Sequence, residues 1–255
     1  MLRKRIIFSL IYSDGYFNQS RNFRLQRVGN EFWLENNYKF STIAHSIDEL
    51  ILINASKSFK DIQSFSETII KIVENVFIPI CAGGGIRNIS DAALLFKSGA
   101  DKILLNSSLF ENPSLVLELV KIYGSQSIVA SIDYKIQDDD LFVYINDGKT
   151  KISLDLISYI ENVQALGVGE IYLNSIDKDG TGFGYDLNTI NKISSKIEIP
   201  LIIAGGAGNE AHLKNGLKIN GVNAVATANL FNFIGDGLPN ARKSLIDAGE
   251  NLSNW

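Results

Sequence analysis

The chain has almost no cysteine, no long hydrophobic run and no excess of positive charge, and each absence excludes a class of protein. Cys81 is the one cysteine among 255 residues, so no internal disulfide can form, and we expect a reducing, cytoplasmic location. No apolar run approaches the roughly 18 residues that a membrane helix needs, and no signal-peptide pattern is present. A net charge of −4 argues against a general nucleic-acid surface. We therefore expect neither a membrane nor a nucleic acid as a partner.

An internal repeat relates the two halves of the chain with a shift of about 121 positions. The segment IPICAGGG at 78–85 recurs as IPLIIAGG at 199–206, and a helical stretch and a short apolar strand follow each copy. The same shift aligns two further pairs of segments, 47–52 with 168–173 and 5–10 with 126–131. A repeat that spans half of the chain indicates duplication of a four-strand unit rather than a solenoid.

Eight short apolar runs alternate with stretches of helical periodicity, which is typical of a parallel α/β sheet. The predicted strands are 5–12, 49–54, 77–82, 101–106, 127–133, 169–174, 199–204 and 222–227, and the clearest helices are 61–76, 90–98, 113–123 and 154–166. Eight strands with a two-fold repeat favour a closed (β/α)8 TIM barrel over a doubly wound sheet. We predict one domain, residues 1–255.

Two connections are too long to be plain turns. Residues 12–30 follow the first predicted strand and residues 134–151 follow the fifth, the same position in each half. The second connection contains Asn146-Asp147-Gly148 after an apolar run, which predicts a small hairpin. Long loops at the C-terminal ends of barrel strands carry the active sites of such folds, so we expect the site at this end.

Consecutive glycines end two strands, at 83–85 and 205–206, and small polar residues end the strands that follow, at 106–108 and 227–229. Glycine lets backbone N–H groups approach an oxyanion closely, and a helix N-terminus adds partial positive charge. The alternative is that each run of glycines only makes a tight strand–helix turn. Two such pockets on opposite sides of one mouth predict a ligand with a phosphate at each end.

Three aspartates are candidates for acid–base chemistry. Asp133 ends the fifth strand and should face the mouth. Because a carboxylate at the end of a hydrophobic strand is costly to bury, a catalytic role is the more plausible interpretation there. Asp177 and Asp179 lie in a loop rich in turn formers, and capping of that loop is an equal interpretation. The repeat places the counterpart of Asp133 at Ile11 or Tyr12, so a site with two facing carboxylates would retain only one of them here.

Charged residues also occur where strands begin, at the opposite end of the predicted barrel. They are Arg5, Glu49, Lys102 and Glu170, two of each sign. One such residue is usually solvated at the rim, but four of mixed sign could form a paired ring that closes the bottom of the barrel.

We predict no metal and no cofactor. His45 and His212 have no cysteine or carboxylate at a metal-ligand spacing, and we interpret both as surface residues. Cys81 lies within a strand and is interpreted as core.

The sequence resembles the cyclase subunit of imidazole glycerol phosphate synthase, the HisF family, almost from end to end. The motifs that carry the resemblance are KRII at 4–7, DEL at 48–50, GGGI at 83–86, GADK at 99–102, ENPSL at 111–115, SIDKDGT at 175–181 and GGAG at 205–208. The resemblance implies a (β/α)8 barrel that binds a bisphosphorylated ribulosyl–aminoimidazole substrate across its mouth. It also implies a heterodimer with a glutaminase subunit whose ammonia enters through the bottom, and products that are imidazole glycerol phosphate and an aminoimidazole carboxamide ribotide.

The resemblance implies roles for particular residues. One phosphate would bind at Gly85, Asn106 and Ser107, and the other at Gly180, Gly206 and Asn229. Asp133 matches a catalytic aspartate, Asn54 and Asp179 are further mouth residues, and Arg5, Glu49, Lys102 and Glu170 match the ammonia gate.

Three departures from the family pattern keep other functions open. The second catalytic aspartate falls on Ile11, a substrate-closing lysine on Gln19 and another aspartate on Asn54. This pattern resembles second-copy paralogues that supply ammonia for acetamidino-sugar formation in surface-polysaccharide (O-antigen, lipopolysaccharide) biosynthesis. A scaffold that only channels ammonia and an isomerase acting on a similar bisphosphate are two further alternatives, although an isomerase needs no ammonia gate.

Overall fold

The fold is described from a computed structural model that covers residues 3–253 apart from 39, 44, 58 and 59. The strands in this part of the chain are β1 Arg5–Ser13, β2 Tyr16–Arg21, β3 Arg24–Gly29, β4 Glu49–Asn54, β5 Ile80–Gly83, β6 Lys102–Leu105, β7 Ile128–Gln137, β8 Asp140–Ile145, β9 Thr150–Asp155, β10 Glu170–Ser175, β11 Leu201–Ala204 and β12 Val222–Thr227. The α-helices are α1 Glu31–Tyr38, α2 Phe40–Ile43, α3 Ile62–Val73, α4 Ile89–Lys97, α5 Ser107–Glu111, α6 Pro113–Tyr123, α7 Leu156–Ala165, α8 Leu187–Ile193, α9 Glu210–Leu217 and α10 Gly237–Asp247.

Eight parallel strands close into a barrel in the order β1, β4, β5, β6, β7, β10, β11, β12 and back to β1. The predicted (β/α)8 TIM barrel is therefore confirmed, and each predicted strand overlaps an observed one. The helix predicted at 90–98 begins one residue earlier, because Asn88 and Asp91 form a reciprocal capping box. Among the described helices, none is both long and apolar enough to cross a membrane.

Both halves of the chain extend the barrel with an antiparallel excursion at the same place. β1 continues into β2 and β3, and β7 continues into β8 and β9. The turn predicted at Asn146-Asp147-Gly148 joins β8 to β9, so that hairpin is confirmed. The β2–β3 hairpin was not predicted, since β3 is mostly polar and partly exposed and its turn residues, Asn22 and Phe23, are not a usual hairpin pair.

The apolar residues form two cores, one inside the barrel and one between the barrel and its helices. Cys81 lies in the inner core, as predicted, and its burial raises the pKa of the thiol well above the usual value. Side chains alternate along each barrel strand, so every second residue points to the axis. The inner core contains Ile7, Ile51, Cys81, Leu104, Val129, Tyr172, Ile202, Ala204, Ala224 and Ala226.

A buried ion pair joins the last helix to the start of the barrel. The Arg242 guanidinium on α10 donates to both Asp48 carboxylate oxygens, at 2.9 and 3.0 Å. Asp48 also accepts a hydrogen bond from the Ile6 amide at 2.8 Å, and Arg242 donates to the Ser253 carbonyl at 2.6 Å. Both charged side chains are buried. The pair therefore ties α10 and the C-terminal segment to β1 and to the residue that precedes β4.

Replacing Arg242 with methionine should destabilise the fold by about 3–5 kcal/mol, because Asp48 would be left charged, buried and unpaired. The free energy of unfolding from urea denaturation measures the loss. Lys243→Met, at the exposed neighbouring position on α10, is the matched control and should change stability by less than about 0.5 kcal/mol. A loss below about 1 kcal/mol for Arg242→Met would contradict this account.

Candidate functional site

A cavity of about 440 Å³ opens at the C-terminal ends of the barrel strands. Its size is within the range typical of small-molecule sites. The nine mouth residues predicted from the sequence all line this cavity: Asn54, Gly85, Asn106, Ser107, Asp133, Asp179, Gly180, Gly206 and Asn229. The barrel closure brings them together, although they are spread over more than half of the sequence.

Asp133 lies in the middle of the cavity wall, between two amide side chains. Its carboxylate accepts one hydrogen bond from Asn106 Nδ2 and one from Asn174 Nδ2, both at 3.0 Å. Burial raises the pKa of the Asp133 carboxyl to about 7, and the hydrogen bond from Asn174 opposes this shift. A carboxyl group that titrates near neutral pH can both donate and accept a proton at physiological pH.

The first predicted phosphate seat, formed by Gly85, Asn106 and Ser107, lies beneath the β8–β9 turn. Ser107 Oγ donates to Asn146 Oδ1 at 3.0 Å and accepts from the Asn146 amide at 3.1 Å. Gly85 has φ of +91°, and a Cβ there would approach Lys60 Cβ to 2.8 Å. Lys60, which sequence reasoning missed, therefore packs against this seat and also lines the cavity.

Lys60 is already paired with an acid from the same turn. Its Nζ lies 2.6 Å from Asp147 Oδ1, and both residues line the cavity. An arriving phosphate would compete with Asp147 for this cation. No local sequence signal connects the two residues, since they are 87 positions apart.

The second predicted seat combines two glycines with positive φ and the turn after β12. A Cβ on Gly180, at φ of +67°, would lie 1.9 Å from the Ser20 carbonyl oxygen. A Cβ on Gly206, at φ of +107°, would lie 2.1 Å from the Gly184 carbonyl oxygen. Asn229 caps its own turn, with Oδ1 accepting from the Phe231 and Asn232 amides. Larger residues are thus excluded from both glycine positions.

Asp179 and Asp177 hold the two hairpins in place. The Asp179 carboxylate accepts from Ser20 Oγ and from the Phe23 amide, while Asp177 accepts from the Ile136 amide at 2.8 Å. Burial raises the pKa of Asp179, and these hydrogen bonds oppose the shift. Both carboxylates therefore tie their loop to the two hairpins, and Asp179 also lines the cavity.

The three departures from the family pattern also have a structural context. Ile11 is paired in register with Ile53, and both line the cavity as an apolar wall. Gln19 Oε1 accepts from the Leu230 amide at 2.8 Å, so it joins the first hairpin to the turn after β12. Asn54 is fully buried, and its Oδ1 accepts from the Ser56 amide.

The four charged residues at the strand starts form a closed ring across the base of the barrel. Arg5 contacts Glu49 at 2.6 Å and also Glu170, and Lys102 contacts Glu49 at 2.9 Å and Glu170 at 3.0 Å. Charges alternate around the ring, so each has two partners of opposite sign. Burial raises the pKa of Glu49, and the charges of Lys102 and Arg5 oppose that shift. A second cavity, of about 660 Å³, lies against this ring on the outer side.

An apolar layer separates the ring from the mouth. Ile7, Ile51, Val129 and Ile202 are fully buried, and they line neither cavity. The ring and this layer therefore close the barrel axis in this conformation.

The two histidines differ in their surroundings. His45 is exposed, as predicted, but His212 is partly buried, and its Nδ1 accepts from the Gly208 amide at 3.2 Å. His212 is therefore partly exposed at the surface, with one ring nitrogen hydrogen-bonded. The helix-start position of His212 within α9 directs its ring towards the glycine turn that precedes the helix.

Comparison with known proteins gives consistent matches over the whole chain. The profile of a family described as histidine biosynthesis protein matches residues 34–235. A Parasynechococcus marenigrum protein, provisionally assigned as imidazole glycerol phosphate synthase subunit hisF2, is 44% identical over all of this chain and 95% of its own length. HisF subunits of the same synthase from a Hydrogenobaculum species and from Chlorobium limicola are 37% and 35% identical, over 91% and 98% of this chain and 92% and 98% of their own lengths.

The raised pKa of Asp133 predicts that its carboxyl titrates with a midpoint near pH 7, far above that of an exposed aspartate. Carbon NMR of the chain labelled at aspartate carboxyl groups measures this midpoint, and Asp133→Asn identifies the resonance by its loss. Between about pH 4 and about pH 7, Asp133 is ionised in the unfolded chain but still largely protonated in the folded one. Its contribution to the free energy of unfolding therefore falls as the pH rises through this range. A midpoint below about pH 5 would contradict the burial argument.

Proposed function

The chain belongs to the HisF family of imidazole glycerol phosphate synthase subunits, and from this premise we propose that it is a synthase subunit that uses ammonia from a glutaminase partner. The proposed reaction converts a bisphosphorylated ribulosyl precursor into imidazole glycerol phosphate and an aminoimidazole carboxamide ribotide, a step of histidine biosynthesis. The observation that carries the proposal is that a ring of paired charges and a buried carboxyl group lie at opposite ends of one barrel axis. The ring of Arg5, Glu49, Lys102 and Glu170 is at one end, and Asp133 lies in the mouth at the other.

The mouth supports a substrate with two phosphate groups. Glycines with positive φ lie on its opposite sides, Gly85 after β5 and Gly206 after β11, where backbone N–H groups can approach oxyanions. Lys60 supplies a positive charge beside the first seat. A substrate held at both ends would place its reacting centre over Asp133.

Asp133 is the proposed acid–base residue. With a pKa near 7, it can take a proton from the attacking nitrogen and return one to a leaving oxygen. Asn106 and Asn174 hold the carboxylate in place through their amide donors. Ile11 cannot transfer a proton, so a second acid–base group is absent from the position where the family has one.

The base of the barrel is the proposed docking face for the glutaminase. The basal cavity lies directly outside the charged ring and is lined in part by Phe77, whose side chain is 85% exposed. A partner bound there would deliver ammonia to the ring without release to solvent. The pair would form a heterodimer.

Replacing Asp133 with asparagine should lower the turnover of the glutaminase complex by about 10²-fold or more, the typical contribution of general acid–base catalysis. Asp177→Asn is the matched control and should leave turnover within about threefold, because Asp177 only ties its loop to the Ile136 amide of β7 and does not line the cavity. Steady-state formation of both products measures the effect. Unchanged turnover in Asp133→Asn would instead favour a scaffold that only channels ammonia.

A second candidate function is favoured by Ile11, which forms an apolar wall with Ile53 at the position where the family has its second catalytic aspartate. In this alternative, the subunit supplies ammonia for acetamidino-sugar formation in surface-polysaccharide biosynthesis. Asn54, a neutral residue where the family has an acid, is consistent with a changed substrate.

Cyclisation of the bisphosphate with ammonium salt distinguishes the two candidates. For the histidine-pathway reaction, we expect measurable turnover that Ile11→Asp raises about tenfold or more, because a second proton-transfer group is restored. Ile53→Asp, at the paired apolar position, is the control and should not raise turnover. No turnover in either the unaltered chain or Ile11→Asp would favour the acetamidino-sugar role.

Failure of a glutaminase to co-purify would favour an isomerase.

A further inference from the structure

One strand connects the charged ring to the proposed catalytic residue. Glu170, Tyr172 and Asn174 are alternate residues of β10 and all face the barrel axis: Glu170 is in the ring, Tyr172 is in the inner core, and Asn174 donates to Asp133. Tyr172 therefore occupies the level between the base and the mouth. Neither the ring nor the acid–base chemistry described above uses it.

The Tyr172 side chain crosses the interior of the barrel. Its hydroxyl lies 3.3 Å from Ser9 Oγ on β1, although β11 and β12 separate β10 from β1 in the sheet. The intervening strands present small side chains, Ala204, Ala224 and Ala226, to the axis. These alanines leave the space that the phenol ring occupies. Tyr172 is only 5% exposed and Ser9 only 1%.

The hydroxyl groups of Tyr172 and Ser9 lie at the bottom of the mouth cavity, on the side of the apolar layer that faces the mouth. Tyr172 and Ser9 both line the mouth cavity, whereas the ring residues Arg5, Lys102 and Glu170 line the basal one. A molecule that moves from the ring to Asp133 along the axis must therefore pass the Tyr172 ring. The pair is also a polar contact that it would meet after the apolar layer.

The apolar layer selects the neutral form of the nitrogen nucleophile. An ammonium ion would lose its hydration there with no paired charge, which is strongly unfavourable, whereas neutral ammonia loses much less. Once past the layer, ammonia can accept a hydrogen bond from a phenol hydroxyl and donate one to a serine oxygen. Burial raises the pKa of Tyr172, so its hydroxyl remains protonated and available as a donor.

We propose that Tyr172, oriented by Ser9, is the residue that receives neutral ammonia above the apolar layer and passes it to the substrate at Asp133. This inference rests on the proposed ammonia-using function and adds a positioning residue to it.

The test compares two nitrogen sources in Tyr172→Phe, which keeps the ring and removes the hydroxyl, and in Ser9→Ala. In the complex with the glutaminase, we expect the product formed per glutamate released to fall about fivefold to tenfold, the effect of one lost hydrogen bond. The isolated subunit supplied with ammonium chloride should keep its turnover within about twofold, because ammonia reaches the open mouth directly. Tyr185→Phe is the matched control, since its hydroxyl donates to the Ala226 carbonyl and Tyr185 packs in the core outside the barrel.

Three outcomes would overturn the inference. An unchanged ratio of product to glutamate in both variants would show that passage does not depend on this pair. An equal fall with glutamine and with ammonium chloride would assign Tyr172 to the chemistry at the mouth instead. If the unaltered complex forms no product from glutamine, the proposed function fails, and the inference that rests on it fails too. The first two outcomes, in contrast, would overturn the role of Tyr172 and leave the proposed function intact.

Discussion

The alternation of side chains along parallel barrel strands is the constraint on which this molecule depends. Because every second residue faces the axis, a strand such as β10 presents Glu170, Tyr172 and Asn174 at three successive levels of the interior. Other strands repeat this arrangement, with Arg5, Ile7, Ser9 and Ile11 on β1. A charged base, an apolar layer and a polar mouth therefore follow from a period of two. A shift of one residue in any strand would move charges into the surrounding core.

The two buried carboxylates and two partly buried cations at the base are tolerable only because their signs alternate. Each carboxylate contacts two cations and each cation contacts two carboxylates, so the desolvation cost is offset by short, paired contacts. Removal of one member would leave an uncompensated buried charge. Such a ring can open only by breaking ion pairs.

Duplication explains the symmetry of the mouth, and divergence explains its chemistry. Both halves contribute a glycine turn and a hairpin, so the mouth has two similar sides. The acid–base group is not duplicated, since Asp133 has an isoleucine, Ile11, as its counterpart. The hairpins have also diverged: the first is tied down by Gln19 and Asp179, while the second places Asp147 against Lys60.

The sequence by itself determined the barrel, the charged residues of the ring and nine residues of the mouth, because local signals, periodic signals and the family resemblance pointed to them. Strand–helix alternation, the half-chain repeat, and charges or glycines at strand ends can all be read along the chain, and the family resemblance assigned them roles. Only the tertiary structure decided how these residues interact across the fold. Several of these contacts join residues from different elements, most of them far apart in sequence. They are the β2–β3 hairpin, the Lys60–Asp147 ion pair, the hydrogen bond from the Phe23 amide to Asp179 and the Tyr172–Ser9 contact. Such contacts depend on barrel closure and side-chain packing, and no periodic pattern in one strand encodes its partner on another.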